Sequence, residues 1–277
     1  MRDAVRSVPV TDDKTWYNHF YRDRPPEQDL VVAPEIVDRY SRLTHADIFH
    51  VEKWHQLIGD VRGKKVLYIA CGVDGSGILL ALRGGEVWVL DLAAEAVQHQ
   101  RRMGLANGTA HRTHFIVGSC AHLPFRSASF DVVVGIGIWH HLQEDLDAPC
   151  AELARVLKKD GLAVFQEPIE RSRFLARLRR YVPIAPPADA SPHCRPLGRD
   201  ALGCFSRRFQ VEAYSFGFLA RFDRLVDGST PFEFISWWRR WIIFALQYTD
   251  FFLLRTPGLE RLAGVVVFRL TNGSRAH

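Results

Sequence analysis

Hydrophobic positions follow two different rhythms along the chain. Over residues 35–60 apolar side chains recur every three or four positions, which predicts one or two amphipathic helices. From residue 66 onward, short and nearly continuous apolar runs alternate with helix-like segments. Continuous apolar runs are typical of parallel strands that are buried on both faces. The pattern therefore predicts an α/β fold with a parallel sheet covered by helices on both sides.

The predicted strands and helices alternate regularly until about residue 170. The predicted strands are 66–70, 86–90, 114–117, 131–136, 162–166, 210–216 and 264–270, and the predicted helices between them include 78–82, 93–106 and 147–157. After residue 170 the alternation stops, and an arginine-rich helix (171–181), a proline-rich loop and an aromatic helix follow. We interpret 170–208 and 218–262 as cap segments inserted into the second half of the sheet.

Composition narrows the class of protein. At 277 residues and 47% hydrophobic content, the chain suits one large domain or a core domain with a cap. No uncharged apolar run reaches eighteen residues, and the amino-terminal stretch has no apolar signal region. The five cysteines are scattered without C-x-x-C spacing, which argues against a zinc site or disulfide framework and predicts a cytoplasmic protein.

Two sequence features point to a nucleoside-binding site. Cys71-Gly72 ends the first strand, and a strand that turns through glycine into a helix lets a ligand approach free backbone N–H groups. Asp91 ends the second strand, where an acid accepts hydrogen bonds from ribose hydroxyls. NAD and S-adenosylmethionine fit these features equally, and Asp91 has the alternative role of a helix cap.

Four further blocks separate the two cofactors. They are Gly118–Phe125, Ser129–Val133, Trp139–Leu142 and Leu153–Leu162, which read GSCAHLPF, SFDVV, WHHL and LARVLKKDGL. In this order and spacing, over roughly residues 64–168, they resemble the small-molecule branch (methyltransferase type 11-like) of class I S-adenosylmethionine-dependent methyltransferases. NAD dehydrogenases lack this series.

The resemblance implies a fold, a cofactor and a class of partner. We expect a Rossmann-like, seven-stranded, mostly parallel sheet with a late antiparallel hairpin, in a domain of residues 63–277 with cap insertions at about 170–208 and 218–262. Residues 1–62 are then a helical segment that forms part of the acceptor lid. The implied cofactor is S-adenosyl-L-methionine without a metal, and the acceptor is a small molecule, with a role in secondary metabolism. Neither nucleic acid nor membrane is expected as a partner, and a homodimer is left open.

The resemblance also assigns cofactor-binding residues. Ala70, Cys71 and Gly72 approach the methionine part, Asp91 the ribose, Leu92 the adenine face, Ser119 and Cys120 the adenine edge, and Ile136 and Gly137 the sulfonium. Four positions depart from the family pattern: Tyr68 replaces an acid, Ala70 and Asp74 replace glycines, and Ser119 stands where an adenine-binding Asp is common. The changes at Tyr68 and Asp74 are the larger ones. Asp74 either takes over the contact to the amino group of the cofactor or is a solvated turn residue.

Four residues are candidates for acid–base catalysis. They are His140, His141, His193 and Glu167. The histidine pair has the structural alternative of packing or hydrogen bonding, and Glu167 has that of a helix cap. His193 lies in a loop that is expected over the pocket. Methyl transfer also proceeds by alignment and desolvation alone, so a base is not required.

The cap carries two unusual surfaces. An aromatic stripe at helical spacing (Phe234, Trp238, Trp241, Ala245, Tyr248, Phe252) is typical of a core or a dimer interface, with an acceptor pocket as the alternative. Arg239 and Arg240 interrupt it, which disfavours a membrane.

The segment between Arg171 and Arg208 is strongly basic, because it contains nine arginines and only two acids. This excess predicts an acceptor with an anionic and an apolar part, with a solvated helix face as the alternative. The arginines proposed to hold it are Arg171, Arg173, Arg177, Arg195 and Arg199.

Two rival functions remain at the level of sequence. An NAD(P)-dependent oxidoreductase is disfavoured by the missing third glycine of G-x-G-x-x-G. A non-catalytic S-adenosylmethionine-binding protein is favoured by Tyr68 and Asp74.

Overall fold

The fold was analysed in a computed structural model that describes residues 10–22, 30–143, 145–172, 177, 195–198, 201–222, 230 and 232–272. His193, Arg173 and Arg199 lie outside the described residues, as does most of the predicted arginine-rich helix.

Seven strands form one sheet in the order β3-β2-β1-β4-β5-β7-β6. The strands are β1 (Lys65–Ile69), β2 (Glu86–Asp91), β3 (Thr113–Val117), β4 (Phe130–Ile136), β5 (Leu157–Pro168), β6 (Gln210–Phe216) and β7 (Val265–Thr271). Neighbours pair in parallel except β7, which is antiparallel to both β5 and β6. The predicted seven-stranded, mostly parallel sheet with a late antiparallel pair is therefore confirmed. β5 is longer than predicted, because Leu157 already pairs with Phe130 before an irregularity in the ladder.

Eight α-helices were assigned in the described residues. They are α1 (Val10–Arg22), α2 (Pro34–Arg42), α3 (His50–Ile58), α4 (Ser76–Leu82), α5 (Ala94–Ala106), α6 (Asp147–Val156), α7 (Ala201–Phe205) and α8 (Trp237–Leu253). Short 3₁₀ turns lie at Trp139–His141, Ala220–Phe222, Phe232–Phe234 and Leu259–Leu262. No helix within these described ranges is long and apolar enough to cross a membrane.

Each face of the sheet has its own core. Alternating side chains of β5 show this, because Phe165 packs with Trp139 beneath α6 and α7, whereas Val164 packs with Trp54 of α3. Continuous burial of the central strands follows from helices on both faces, as the apolar runs predicted. A third, smaller cluster joins α8 to the start of α3. This arrangement leaves the carboxyl ends of β1, β2, β4 and β5 at one edge, where α/β sheets bind ligands.

Candidate functional site

The turn after β1 has an unusual backbone. Ala70 and Gly72 both adopt positive φ, 52° and 49°, a region that side chains other than glycine rarely occupy. Between them, the N–H of Cys71 donates to the carbonyl of Leu90 on β2 at 3.3 Å. A Cβ atom at Gly72 would lie 3.1 Å from the Tyr21 hydroxyl. Glycine at this position therefore leaves room for the Tyr21 hydroxyl close to the backbone of the turn.

Asp91 joins the two strand ends that form the predicted cofactor site. Its Oδ2 accepts the N–H of Gly72 at 2.9 Å, and its Oδ1 accepts the N–H of Ala93 at 2.9 Å. Burial raises the pKa of Asp91, and the backbone hydrogen bonds oppose that shift. Each carboxylate oxygen has a second lone pair, so both can still accept a ribose hydroxyl. The cap role and the ribose role are thus compatible.

Tyr68 and Asp74, the two larger departures from the family pattern, are partners of each other. The buried Tyr68 hydroxyl donates to Oδ2 of Asp74 at 2.5 Å, and the N–H of Ser76 donates to Oδ1 at 2.7 Å. Burial raises the pKa of Tyr68 well above its ordinary value, so it remains a donor at neutral pH. These hydrogen bonds and the exposure of Asp74 fit the solvated turn residue, and the second lone pair on each carboxylate oxygen leaves the contact to the cofactor amino group open.

Gln100 of α5 binds the same turn through its side chain, and no sequence pattern predicts this role. Its Nε2 donates to the carbonyl of Asp74 at 2.7 Å and lies within 3.3 Å of the carbonyls of Cys71 and Gly72. The side chain is fully buried, whereas Gln98 of the same helix is exposed. No local pattern distinguishes these two glutamines, so only the packing of α5 against the sheet reveals the role.

The residues predicted for the adenine lie beside Asp91. The N–H of Gly118, after β3, donates to the Asp91 carbonyl at 2.9 Å. Ser119 accepts the N–H of Ala121 through its hydroxyl at 3.2 Å. Burial raises the pKa of Cys120 to about 12, which keeps this thiol neutral. The turn after β1, the β2 end with Leu92, and the β3 end therefore meet at one edge.

Glu167 anchors the turn that follows β4. It is fully buried, its Oε1 accepts the N–H groups of Ile138 and Trp139 at 2.7 and 2.9 Å, and its Oε2 accepts that of His140 at 3.3 Å. Nδ1–H of His140 donates to the same Oε2 at 2.8 Å. Glu167 therefore has the capping geometry of its structural alternative, and it also fixes the imidazole of His140 with the lone pair on Nε2.

The carboxyl end of β4 also lies near residues from distant parts of the chain, Gln166 on β5 and His50 on α3. Gly137, with φ of 67°, donates its N–H to the carbonyl of Gln166 at 2.8 Å. The Gln166 side chain oxygen lies 2.9 Å from Nδ1 of His50, at the start of α3. A lone histidine at the start of a helix carries no sequence signal for a site, so His50 and Gln166 were not predicted. Ile136, at the end of β4, is half-buried beside them.

Helix α1 lies across the cofactor end of this edge. The Tyr17 hydroxyl is 3.3 Å from Nε2 of His141, and the Tyr17 and Tyr21 rings stack at 5.7 Å. Asn18 accepts the N–H of Glu95 on α5 at 3.4 Å. The contacts of α1 are thus with residues beside Gly72 and Asp91. Residues 1–62 were expected to form part of the acceptor lid, and no sequence pattern places α1 over the cofactor turn.

The site residues fit S-adenosylmethionine, the cofactor that the resemblance implied. The positive-φ turn at Gly72 and the remaining acceptor capacity of Asp91 match the methionine and ribose parts of that molecule. Within the described ranges no group of three His, Cys, Asp or Glu side chains is placed to hold a metal ion.

The described arginines of the cap lie apart from the β1 turn. Arg171 lines a cavity of about 290 Å³ at the β6 corner of the sheet, together with Lys53, Phe216 and Leu254. Burial lowers the pKa of Arg171. The side chains of Arg177 and Arg195 are exposed.

The central segment of the chain is similar to known methyltransferase sequences. Residues 67–165 match a family model described as a methyltransferase domain. The chain is 28% identical over 160 residues to a fatty-acid O-methyltransferase of Mycolicibacterium smegmatis, covering 56% of this chain and 53% of that protein. It is 30% identical over 162 residues to phthiotriol/phenolphthiotriol dimycocerosates methyltransferase 1 of Mycobacterium ulcerans, covering 56% and 54%. The chain thus spans about half the length of these curated relatives.

Solved structures share the fold. A geranyl diphosphate C-methyltransferase from Streptomyces coelicolor, in complex with Mg²⁺, geranyl diphosphate and S-adenosyl-L-homocysteine, superposes with a TM-score of 0.59 at 13% identity, covering 96% of this chain and all of that one. The [4+2]-cyclase SpnF superposes with a TM-score of 0.54 at 14% identity, covering 79% and 80%. At these identities the likeness concerns the fold alone.

Proposed function

We propose that this chain, whose residues 67–165 match a methyltransferase-domain family model, transfers a methyl group from S-adenosylmethionine to a small-molecule acceptor with an apolar part. One observation carries the proposal. The Asp91 carboxylate connects the glycine turn at Gly72 to the end of β2, which is the arrangement that this cofactor needs for its ribose and methionine parts.

The chain's own residues hold the cofactor and prepare the reaction. Bound at this edge, S-adenosylmethionine supplies an electrophilic methyl group on a sulfonium. Backbone groups of Ala70 to Gly72 hold the methionine part, and Asp91 accepts the ribose hydroxyls. The carboxyl end of β4 at Ile136 and Gly137 is where we place the acceptor next to the methyl group, so that alignment of the two promotes the transfer.

His140 is the base that we propose where the acceptor atom carries a proton. Because Nδ1–H of His140 donates to Glu167, the neutral imidazole presents an unprotonated Nε2. Glu167 acts through His140 and is therefore a positioning residue. His141 contacts Tyr17 of α1, so its role in this proposal is to join that helix to the site.

The acceptor is proposed to be lipid-like and anionic. The names of the two mycobacterial relatives give fatty-acid and dimycocerosate acceptors, and that of the Streptomyces protein gives a prenyl diphosphate. The cavity at the β6 corner combines apolar side chains with Arg171, and its residue Phe216 lies 6.3 Å, ring to ring, from His50. His50 and Gln166 thus connect this cavity to the end of β4. A role in secondary metabolism, and a cytoplasmic location, remain predictions.

A matched set of acceptors tests the proposal. The purified chain is incubated with S-adenosylmethionine labelled in the methyl group and with a long-chain fatty acid, the corresponding alcohol, or geranyl diphosphate. The methyl ester of the fatty acid is the control, since it offers no nucleophilic oxygen. We expect label in an anionic acceptor and none in the ester. Binding of S-adenosylhomocysteine without transfer to any acceptor would instead support the non-catalytic alternative.

Arg171→Lys tests the anionic part of the acceptor. Lysine keeps the charge but loses the bidentate geometry of the guanidinium, so the acceptor KM should rise about tenfold or more while cofactor affinity stays level. Arg177→Lys, at an exposed side chain, is the matched control. An unchanged KM for Arg171→Lys would remove this arginine from the acceptor site.

A further inference from the structure

Helix α8 turns its aromatic side outward. At 3.6 residues per turn, its exposed side chains occupy one continuous arc of about 140°. They are Trp237, Trp238, Trp241, Ile242, Ala245, Tyr248, Thr249 and Phe252. Trp237 is 74% exposed, and Trp241 and Phe252 are each 68% exposed. We call this arc the α8 aromatic face. The expectation that the stripe lies in the core is wrong for these residues.

The opposite side of α8 faces the protein and carries buried polar residues beside the apolar Ile243, Phe244 and Phe251. Gln247 and Asp250 are buried, and the Asp250 carboxylate accepts the N–H groups of Phe218, Leu219 and Ala220 at 2.8 to 2.9 Å. These hydrogen bonds fix the rotation of the helix about its axis. Ordinary surface helices bury the apolar side and expose the polar side. A contiguous exposed aromatic surface on an anchored helix marks a site of interaction.

Arginines border the α8 aromatic face. The guanidinium of Arg239 lies 5.2 Å from the Trp238 ring centre, and that of Arg255 lies 3.4 Å from the Phe251 ring centre. Arg240, which seemed from the sequence to interrupt an apolar surface, lies on the protein side and donates to the carbonyls of Ile235 and Glu233. The charges therefore stand at the edges of the arc and leave its centre apolar.

We propose that the α8 aromatic face docks onto the surface of an anionic lipid membrane. Tryptophan and tyrosine suit the region of the lipid headgroups, because their rings are apolar and their N–H or O–H groups remain hydrated. Arginines at the border of such a face meet lipid phosphates. The helix lies in the plane of the membrane, since its other side is packed on the protein. This docking surface does not depend on the identity of the acceptor.

A second copy of the chain, packed on the α8 aromatic face, would complement its border arginines less well than a membrane. The described part of α8 has a single carboxylate, Asp250, and it is buried and bonded to backbone groups. Two such faces packed together would bring arginines to arginines without an acid from either helix, and Asp47, outside α8, is already paired with Arg255 of its own chain at 4.0 Å. Anionic headgroups supply the complementary charge.

Vesicle sedimentation tests the docking surface. The full chain is mixed with phosphatidylcholine vesicles that either contain or lack phosphatidylglycerol. We expect sedimentation with the anionic vesicles, and a loss of affinity of about tenfold or more for Trp241→Glu. Arg239→Gln should weaken binding to anionic vesicles and reduce its dependence on salt. Leu105→Glu is the matched control, because Leu105 is a 65% exposed apolar residue on α5, at the opposite end of the sheet.

Three results would overturn the proposal. The first is equal sedimentation of Trp241→Glu and the unaltered chain. The second is a dimer in solution that Trp241→Glu dissociates, which would assign the face to a second copy. The third is a fall in Tm for Trp241→Glu that Leu105→Glu does not show, which would mean that another part of the chain covers the face.

Discussion

At the scale of single residues, Asp91 links binding of the cofactor to the shape of the β1 turn. Asp91→Asn replaces one carboxylate oxygen by an NH₂ group. Because this group is a donor, it repels the backbone N–H that the oxygen accepted, which is that of Gly72 or of Ala93. We expect affinity for S-adenosylhomocysteine to fall by about 10- to 100-fold, as when hydrogen bonds to a charged group are lost. Titration calorimetry measures the change. Asp60→Asn, at an exposed ion pair with Arg62, is the control. Unaltered affinity would restrict Asp91 to its capping role.

Glu167 is expected to matter through His140. In Glu167→Gln an amide replaces the oxygen that accepts Nδ1–H of His140, so the imidazole loses the partner that fixes its tautomer. We expect turnover to fall by about 10²-fold or more and its pH profile to shift, while the affinity for S-adenosylhomocysteine is retained. Stopped turnover assays across pH provide the measurement.

Protein stability provides the second readout for Glu167→Gln. Four donors converge on this buried carboxylate, so the free energy of unfolding should also fall, by about 2–4 kcal/mol. Glu35→Gln, at an exposed side chain of α2, controls for the loss of charge. A variant that is less stable but keeps the turnover and pH profile of the unaltered chain would give Glu167 a structural role only.

Sequence predicted those site residues that belong to local motifs. Gly72 and Asp91 lie at strand ends, and a strand end is visible where an apolar run stops. Gln100 and His50 could not be predicted, because each reaches the site through packing of a helix against the sheet. Tyr68 and Asp74 were recognised as departures, but their hydrogen bond to each other required the turn geometry.

At the scale of secondary structure, α1 is the element whose position was least predictable. It was expected to cover the acceptor, and its contacts are with the cofactor turn and with α5. We propose that α1 covers the bound cofactor. Tyr21→Ala should then speed the dissociation of S-adenosylhomocysteine by about tenfold, because a ring that shields the ligand from water is removed.

The dissociation rate can be followed by stopped-flow displacement. His19→Ala is the matched control on the same helix, since His19 is exposed on its outer side. Equal dissociation rates for Tyr21→Ala and the unaltered chain would contradict a covering role for α1.

Helix α8 shows a different limit of sequence patterns. The aromatic spacing correctly predicted a helix over this stretch. Periodicity reports that one side of a helix is apolar, but it does not report whether that side faces the protein. Here the buried Asp250 fixes the rotation, through hydrogen bonds to residues about thirty positions earlier. Those long-range contacts cannot be read from the local sequence.

At the scale of the whole molecule, the alternation of strands and helices was enough to predict the sheet. Parallel strands with crossover helices allow few topologies, and the cofactor then lies at the carboxyl ends of the strands. The cap was less predictable, because its segments lack that alternation. In the described part of the cap, α7 of the first insertion packs against one face of the sheet, whereas α8 of the second insertion packs beside the start of α3. The two insertions therefore do not pack together as a single layer.

The pH dependence of folding should reflect one buried histidine in particular. His55 on α3 is fully buried, and its Nδ1 accepts a hydrogen bond from Arg83 at 3.2 Å. No described residue offers a partner to its Nε2. Burial, together with the charge of Arg83, lowers the pKa of His55 from 6.5 to about 3. Between these values the unfolded chain binds a proton at this residue and the folded chain does not.

Stability should therefore be full above pH 6.5 and should fall as the pH drops towards 3, by about 1.4 kcal/mol per pH unit from this group. His55→Gln removes the titration but can still accept from Arg83. Its loss of unfolding free energy between pH 8 and pH 5 should thus be about 2 kcal/mol smaller than that of the unaltered chain. Urea unfolding at the two pH values measures the difference, and His122→Gln, at an exposed histidine, should leave it unchanged. Parallel pH profiles for His55→Gln and the unaltered chain would show that other groups govern acid unfolding.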